Sequence, residues 1–240
     1  MRTRAQAILG GVSARRFAAI AAAALCLGVA IAEPASAQSA PAAEARADFT
    51  GRSASDDARH MADWVVAAGD NAGMPFVIVD KVAAEVFVFD MHGRLSGAAP
   101  ALLGLARGDD VAPGIGQRRL ADISPKDRVT PAGRFVASLG QDLGEKNVLW
   151  VDYESGVALH RVITTNPREH RLQRLASPSP RDRRISYGCI NVPAAFYDAV
   201  IDPAFAATNG VVYILPETRS IAQVFAGFGP PAAAGKAAGP

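Results

Sequence analysis

One stretch of this chain carries residues able to do covalent chemistry: Ile185-Ser186-Tyr187-Gly188-Cys189-Ile190-Asn191-Val192. A glycine directly before a cysteine lets the backbone turn tightly, which exposes the thiol and brings consecutive N–H groups toward a carbonyl oxygen held beside it. Asn191 and Pro193 read as the cap and first turn of a helix, so the expected run is strand, tight loop, cysteine, helix. A thiol mounted in this way becomes a nucleophile when a base takes its proton, and histidine suits that task near neutral pH.

Four histidines are available. His60 falls on a helical run and His92 at a hairpin tip, and neither has a second ligand type at metal-binding spacing. His160, in Val157-Ala158-Leu159-His160, would be mounted on a strand, which holds an imidazole more accurately than a loop does. His170 sits in an arginine- and proline-rich excursion and is the alternative base. No cluster of His, Cys and acidic residues has ligand spacing, and acyl transfer through a thiol needs no metal or organic cofactor. Gly114-Ile115-Gly116 lacks the third glycine and the strand-to-helix setting of a phosphate cradle.

The elements that must position the thiol follow from periodicity. Residues 1–37 read as a signal peptide: arginines at 2, 4, 15 and 16, an apolar run, then Ala35-Ser36-Ala37 before the expected cut. That run is shorter than the roughly 20 residues of a spanning helix. Its removal takes Cys26 away and leaves Cys189 as a lone thiol in a compartment where cysteine pairs become disulfides. With 25 basic and 23 acidic residues, a net charge of +2, the chain has no basic field for nucleic acid. Residues 38–54 read as a flexible leader and 55–73 as an N-terminal helix, started by Ser55, packing on the domain. Residues 74–217 are expected to form one catalytic domain around the thiol, with strands expected over 76–80, 85–90, 147–153, 157–163 and 211–215. A helix is expected over 193–200. Segment 164–184 is an excursion with a short helix around 169–175, of a length often used for lids or substrate walls. The Ala/Gly/Pro-rich tail, 218–240, is expected to be disordered.

Ser186-Tyr187-Gly188-Cys189-Ile190-Asn191 resembles the signature of the L,D-transpeptidases with a YkuD-type catalytic domain: Ser or Thr, usually His, Gly-Cys, an aliphatic residue, then Asn or Arg. Thr130-Pro131-Ala132-Gly133-Arg134-Phe135 is similar to the family's Thr-Pro-x-Gly-x-Phe turn. Ala158-Leu159-His160 resembles the strand that bears its catalytic histidine, and three motifs in order make a specific pattern.

The resemblance implies a mainly β fold, a mixed sheet or sandwich with a few helices. It implies Cys189 as nucleophile and His160 as base and then acid. The substrate would be a peptidoglycan tetrapeptide stem, cleaved with release of D-alanine through a thioester that an amine resolves, from a second stem peptide or from a protein. Gly188 and Cys189 would supply oxyanion N–H groups, Ser186 and Asn191 would hold the loop, and Tyr187, Arg161 and Arg184 would meet donor carboxylates. It also places the protein outside the cytoplasm, in the periplasm or cell envelope, with no membrane span after cleavage. Tyr187 stands where histidine is usual and Arg161 where glycine is common. The His160–Cys189 separation exceeds the customary one, which His170 comes nearer to. A hydrolase, an L,D-carboxypeptidase using the same acyl-enzyme, and an inactive peptidoglycan-binding domain are the competing readings.

Overall fold

Runs of Val, Ile and Phe bounded by turn residues favour paired strands buried on both faces, and this pattern builds the centre of the molecule. A computed structural model describes residues 45–142 and 147–229. Strand β1 (Phe76–Asp80) pairs antiparallel with β2 (Glu85–Phe89), and β2 with β3 (Leu95–Pro100). β4 (Leu103–Gly104) stands apart; then come β5 (Gly133–Gln141), β6 (Asn147–Asp152), β7 (Val157–Arg161), β8 (Arg184–Ser186), β9 (Ile190–Val192) and β10 (Gly210–Ile214). Eight strands form one mixed sheet in the order β3-β2-β1-β10-β5-β6-β7-β9, and β4 pairs with β8 in a second, small sheet. β1/β10, β7/β9 and β4/β8 are parallel. The mainly β class expected from the sequence is the class observed.

The two-residue period of the strands sorts the core into two clusters. Val77, Val79, Val86, Val88, Val212 and Ile214 face the helical run at 194–205, where Tyr197, Ile201 and Phe205 are buried against them. That run is built of α3 (Ala194–Phe196), a π-helical segment Tyr197–Ile201, and α4 (Asp202–Phe205). It is longer than expected. On the opposite face Phe76, Ile78, Phe87, Phe89, Val211 and Tyr213 pack against Met61, Ala62 and Val65 of α1 (Asp56–Ala68). Ser55 caps α1 by accepting from the Ala58 N–H, and Gly69 ends it in the left-handed region.

Three expectations are corrected. Asn191 does not cap a helix: it lies in β9, its backbone bonded to Leu102 while His160 pairs with it across β7. The described part of the leader is docked, because Phe49 is buried edge-on against Phe87 and Phe89 and Asp48 bridges Arg94. The described part of the tail is ordered too. α5 (Ile221–Val224) opens with a Ser220–Gln223 capping box, Phe225 is buried, and Phe228 packs on Trp64. The signal peptide with Cys26, the leader up to residue 44 and the tail from residue 230 lie outside the described residues.

A buried ion pair ties the irregular segment between β4 and β5 to the sheet. Lys81 is fully buried after β1 and donates to the Gly108 carbonyl (2.6 Å), the Asp109 carboxylate (2.8 Å) and the Thr130 carbonyl (2.9 Å). Asp109 also accepts from the N–H groups of Glu217, Thr218 and Arg219. Burial alone would raise the Asp109 carboxyl, but these bonds, led by Lys81 and Thr218, hold it well below the usual carboxylate range. Burial lowers Lys81, against the pull of Asp109 and Glu217.

Removing one member of such a pair leaves a buried charge unmet, so Asp109→Ala is expected to cost about 3–5 kcal/mol, read as a lower urea midpoint. Because the folded carboxyl lies below its unfolded value, its stabilising contribution is complete at neutral pH. The gap between wild type and variant should hold down to about pH 4 and narrow as the pH falls further through the depressed value.

Candidate active site

The segment with Cys189 crosses from the small sheet to the large one. β8 runs parallel to β4, and β9 runs parallel to β7 with Leu159 opposite Ile190 and His160 opposite Asn191. Tyr187, Gly188 and Cys189 make the turn between them. Gly188 has φ +134°, and a Cβ there would lie 2.9 Å from the Val129 carbonyl oxygen, so no other residue fits without displacing backbone.

Extending the β7/β9 register by one residue sets Cys189 opposite Ala158, on the face that carries His160 and one diagonal step from it. The thiol is partly buried, 3.7 Å from the Gly156 carbonyl. The bonds around it explain the flanking residues. Ser186 Oγ donates to the Cys189 carbonyl (2.6 Å) and accepts from the Gly188 N–H (3.2 Å). Thr130 Oγ1 donates to the Gly188 carbonyl (2.8 Å) and accepts from the Gly104 N–H (2.9 Å). The Thr-Pro-x-Gly-x-Phe turn is thus a brace for the cysteine turn.

His160 is nearly as well held. Its Nδ1 lies 2.7 Å from the Arg161 carbonyl oxygen, which can only accept, so Nδ1 carries the proton and Nε2 the lone pair. Nε2 is 3.5 Å from Asn191 Nδ2, which also donates to the Cys189 carbonyl at 3.3 Å. Asn191 Oδ1 accepts from Arg171 Nη1 at 2.7 Å. Arg171 was not singled out by the sequence reading, since it is one of six arginines in segment 164–184 and no local pattern marks it.

Burial pushes the Cys189 thiol up, opposed by the Ala158 N–H and the Arg171 guanidinium. Burial also pushes the His160 imidazole down; its bond to the Arg161 carbonyl opposes this, Arg171 adds to it and Asp142 works against it. Both shifts favour the uncharged forms, a thiol and a neutral imidazole.

Other expected site residues are placed differently. The Gly188 N–H, expected among the oxyanion donors, is taken up by Ser186. Arg161, expected at substrate carboxylates, bonds Asp198 and Asn147 and lies over the Tyr197 ring. Arg184, expected likewise, is held by the buried Glu217 carboxylate at 2.6 Å. Tyr187 stacks beneath the Arg128 guanidinium at 4.0 Å. His170 is exposed, in left-handed backbone (φ 49°) before α2 (Arg171–Ala176). A pocket of about 300 Å³ opens beside the imidazole, lined by His160, Asp142, Asn147, Val148 and residues 161–165.

No protein-family model matches the chain, and no curated protein does. Solved structures do. The helical cell shape determining protein Pgp2 from Campylobacter jejuni is 11% identical, over 61% of this chain and 49% of that one, with a TM-score of 0.40. An L,D-transpeptidase from Xylanimonas cellulosilytica is 15% identical over 59% of this chain and 60% of that one, TM-score 0.37. An L,D-transpeptidase from Mycobacterium smegmatis is 15% identical over 58% of each chain, TM-score 0.34. The chain spans 49–58% of the length of the first solved structures it matches. At such values no residue role or substrate transfers to this chain.

Thr130→Val removes the hydroxyl that serves both Gly188 and Gly104, and is expected to cost about 1–3 kcal/mol, measured as a lower melting temperature. With the thiol pushed up, alkylation of Cys189 by iodoacetamide should keep rising through and beyond about pH 8.5, the ordinary thiol value, and show no plateau near neutrality.

Proposed function

We propose that this chain is a cysteine acyltransferase of the peptidoglycan layer, an L,D-transpeptidase acting on tetrapeptide stems, and that it works after export to the cell envelope. The observation that carries the reading is the placement of Cys189, in the turn that leads into β9, on the same face as His160 of the adjacent parallel strand β7, with the imidazole lone pair on Nε2. The three motifs in order and the leader pattern support it from the sequence.

In this reading Cys189 Sγ attacks the carbonyl carbon of the diamino acid while its proton passes to His160 Nε2. The oxyanion that forms accepts from the Cys189 N–H. Collapse of the tetrahedral intermediate breaks the peptide bond, and the departing D-alanine amine takes the proton back from His160, leaving a thioester. An acceptor amine then attacks that carbonyl, gives a proton to His160 and releases the Cys189 sulfur, which recovers the proton. The pocket beside His160, with Asp142 in its wall, suits an approaching amine. Either a stem peptide or a protein side chain is a chemically adequate acceptor.

Incubation of the mature protein with purified disaccharide-tetrapeptides should give cross-linked dimers and free D-alanine by mass spectrometry, and Cys189→Ala should give neither. A carbapenem should add to Cys189. His160→Ala is expected to slow acylation by roughly 10²–10⁴-fold, the ordinary contribution of a general base, while His170→Ala leaves it near wild type. Trimmed stems without dimers would make the chain a hydrolase, and the absence of any adduct would leave a binding domain.

A further inference from the structure

Segment 164–184 carries six arginines, some of which brace it internally while others tie it to the rest of the domain. Arg174 donates to the carbonyls of Glu169 (2.9 Å) and Asp182 (2.8 Å), and Arg183 reaches the carbonyls of Ala83, Ala84 and Ser177. Two arginines of the set are largely buried: Arg184, held by Glu217, and Arg171, which turns toward the cysteine strand. Arg171 is only 11% exposed, its Nε is paired with Glu169, and its Nη1 donates to the carboxamide oxygen of Asn191, which is itself 1% exposed.

That contact settles more than the position of a side chain. A guanidinium only donates, so the Asn191 oxygen must face Arg171 and the Asn191 NH₂ must face the other way, toward His160 Nε2 and the Cys189 carbonyl. An NH₂ group facing Nε2 in turn requires a lone pair there. The Arg161 carbonyl asks the same of the ring from its other side, because it needs a proton on Nδ1. The chain Glu169–Arg171–Asn191–His160–Arg161 is therefore consistent with one tautomer alone.

We propose that Arg171 is a positioning residue of the site: acting through Asn191, it fixes the orientation and tautomer of His160 and supplies the positive charge beside Cys189, so that segment 164–184 completes the site from outside the sheet. This rests on the acyl-transfer reading for its purpose but not for its test, which needs no substrate. The charges acting on the imidazole are those of Arg171 and Asp142, and the charge acting on the thiol is that of Arg171, with Glu169 facing Arg171 itself.

The test is long-range ¹H–¹⁵N correlation of histidine-labelled protein together with the pH profile of Cys189 alkylation, on wild type, Arg171→Met and Arg171→Lys. Wild type is expected to show His160 as a single neutral tautomer protonated on Nδ1. Arg171→Met, similar in length but without donor or charge, should give a mixture of tautomers and a titration moved up toward the ordinary histidine range. It should also lower the alkylation rate at neutral pH, because the guanidinium that favours the thiolate is gone. Arg171→Lys should restore most of the rate. Should Arg171→Met fail to fold, Asn191→Asp sets an acceptor toward Nε2 in place of the NH₂ group and is expected to draw a proton onto that nitrogen, so that the single Nδ1-protonated tautomer is lost. A folded Arg171→Met, or in its place a folded Asn191→Asp, with the wild-type tautomer would overturn the proposal. So would a wild-type alkylation profile in Arg171→Met. Loss of transpeptidation with these readouts intact would count against the function alone.

Discussion

A lysine ammonium with no exposure to water has to be met on every side, and the way Lys81 is met determines where much of this chain can lie. Its three acceptors, Gly108, Asp109 and Thr130, belong to a segment with little regular structure, which a hydrophobic core alone would hold loosely. Asp109 then gathers the N–H groups of 217–219 from beyond β10, so two distant parts of the sequence are fixed on one charge pair. An ion pair of this kind adds little net stability over an apolar substitute. What it adds is register: Thr130 can reach the Gly188 carbonyl because its own carbonyl is fixed on Lys81. The cysteine turn thus inherits its position from a contact made by other residues of the fold.

Features that depend on residue type and local period were legible in the sequence. Cys189 behind a glycine, the strand under His160, the strands at 76–80 and 85–89, and α1 with its Ser55 cap all follow from patterns a few residues long. Asn191 misled for the same reason. Asn followed by Val-Pro is a sound local signal for a helix start, yet β7 on one side and Leu102 on the other claim its backbone, and both are remote in sequence. Phe49 and Phe228 were hidden by averaging, since single aromatics within Ala-rich segments decide docking while composition reports only the surroundings. Arg171 could not be told from its neighbours, because what distinguishes it is its bond to Asn191, 20 residues away in sequence.

For the acyl transfer proposed for this chain, the electrostatics around Cys189 work against the most reactive form of its sulfur, and that has a chemical advantage. A thiolate is the species that oxidants attack, and a lone cysteine in the exported setting proposed for this chain has no protein partner with which to form a reversible disulfide. Burial keeps Cys189 protonated at rest, while Arg171 and the Ala158 N–H limit how far the thiol is pushed up. Burial and Arg171 also keep His160 neutral. In the proposed reaction one cation thus serves both residues: it preserves the lone pair that would receive the proton and favours the anion left behind when the proton moves. Proton transfer would then wait until a carbonyl is in place to be attacked, which would confine the anionic sulfur to the step that uses it.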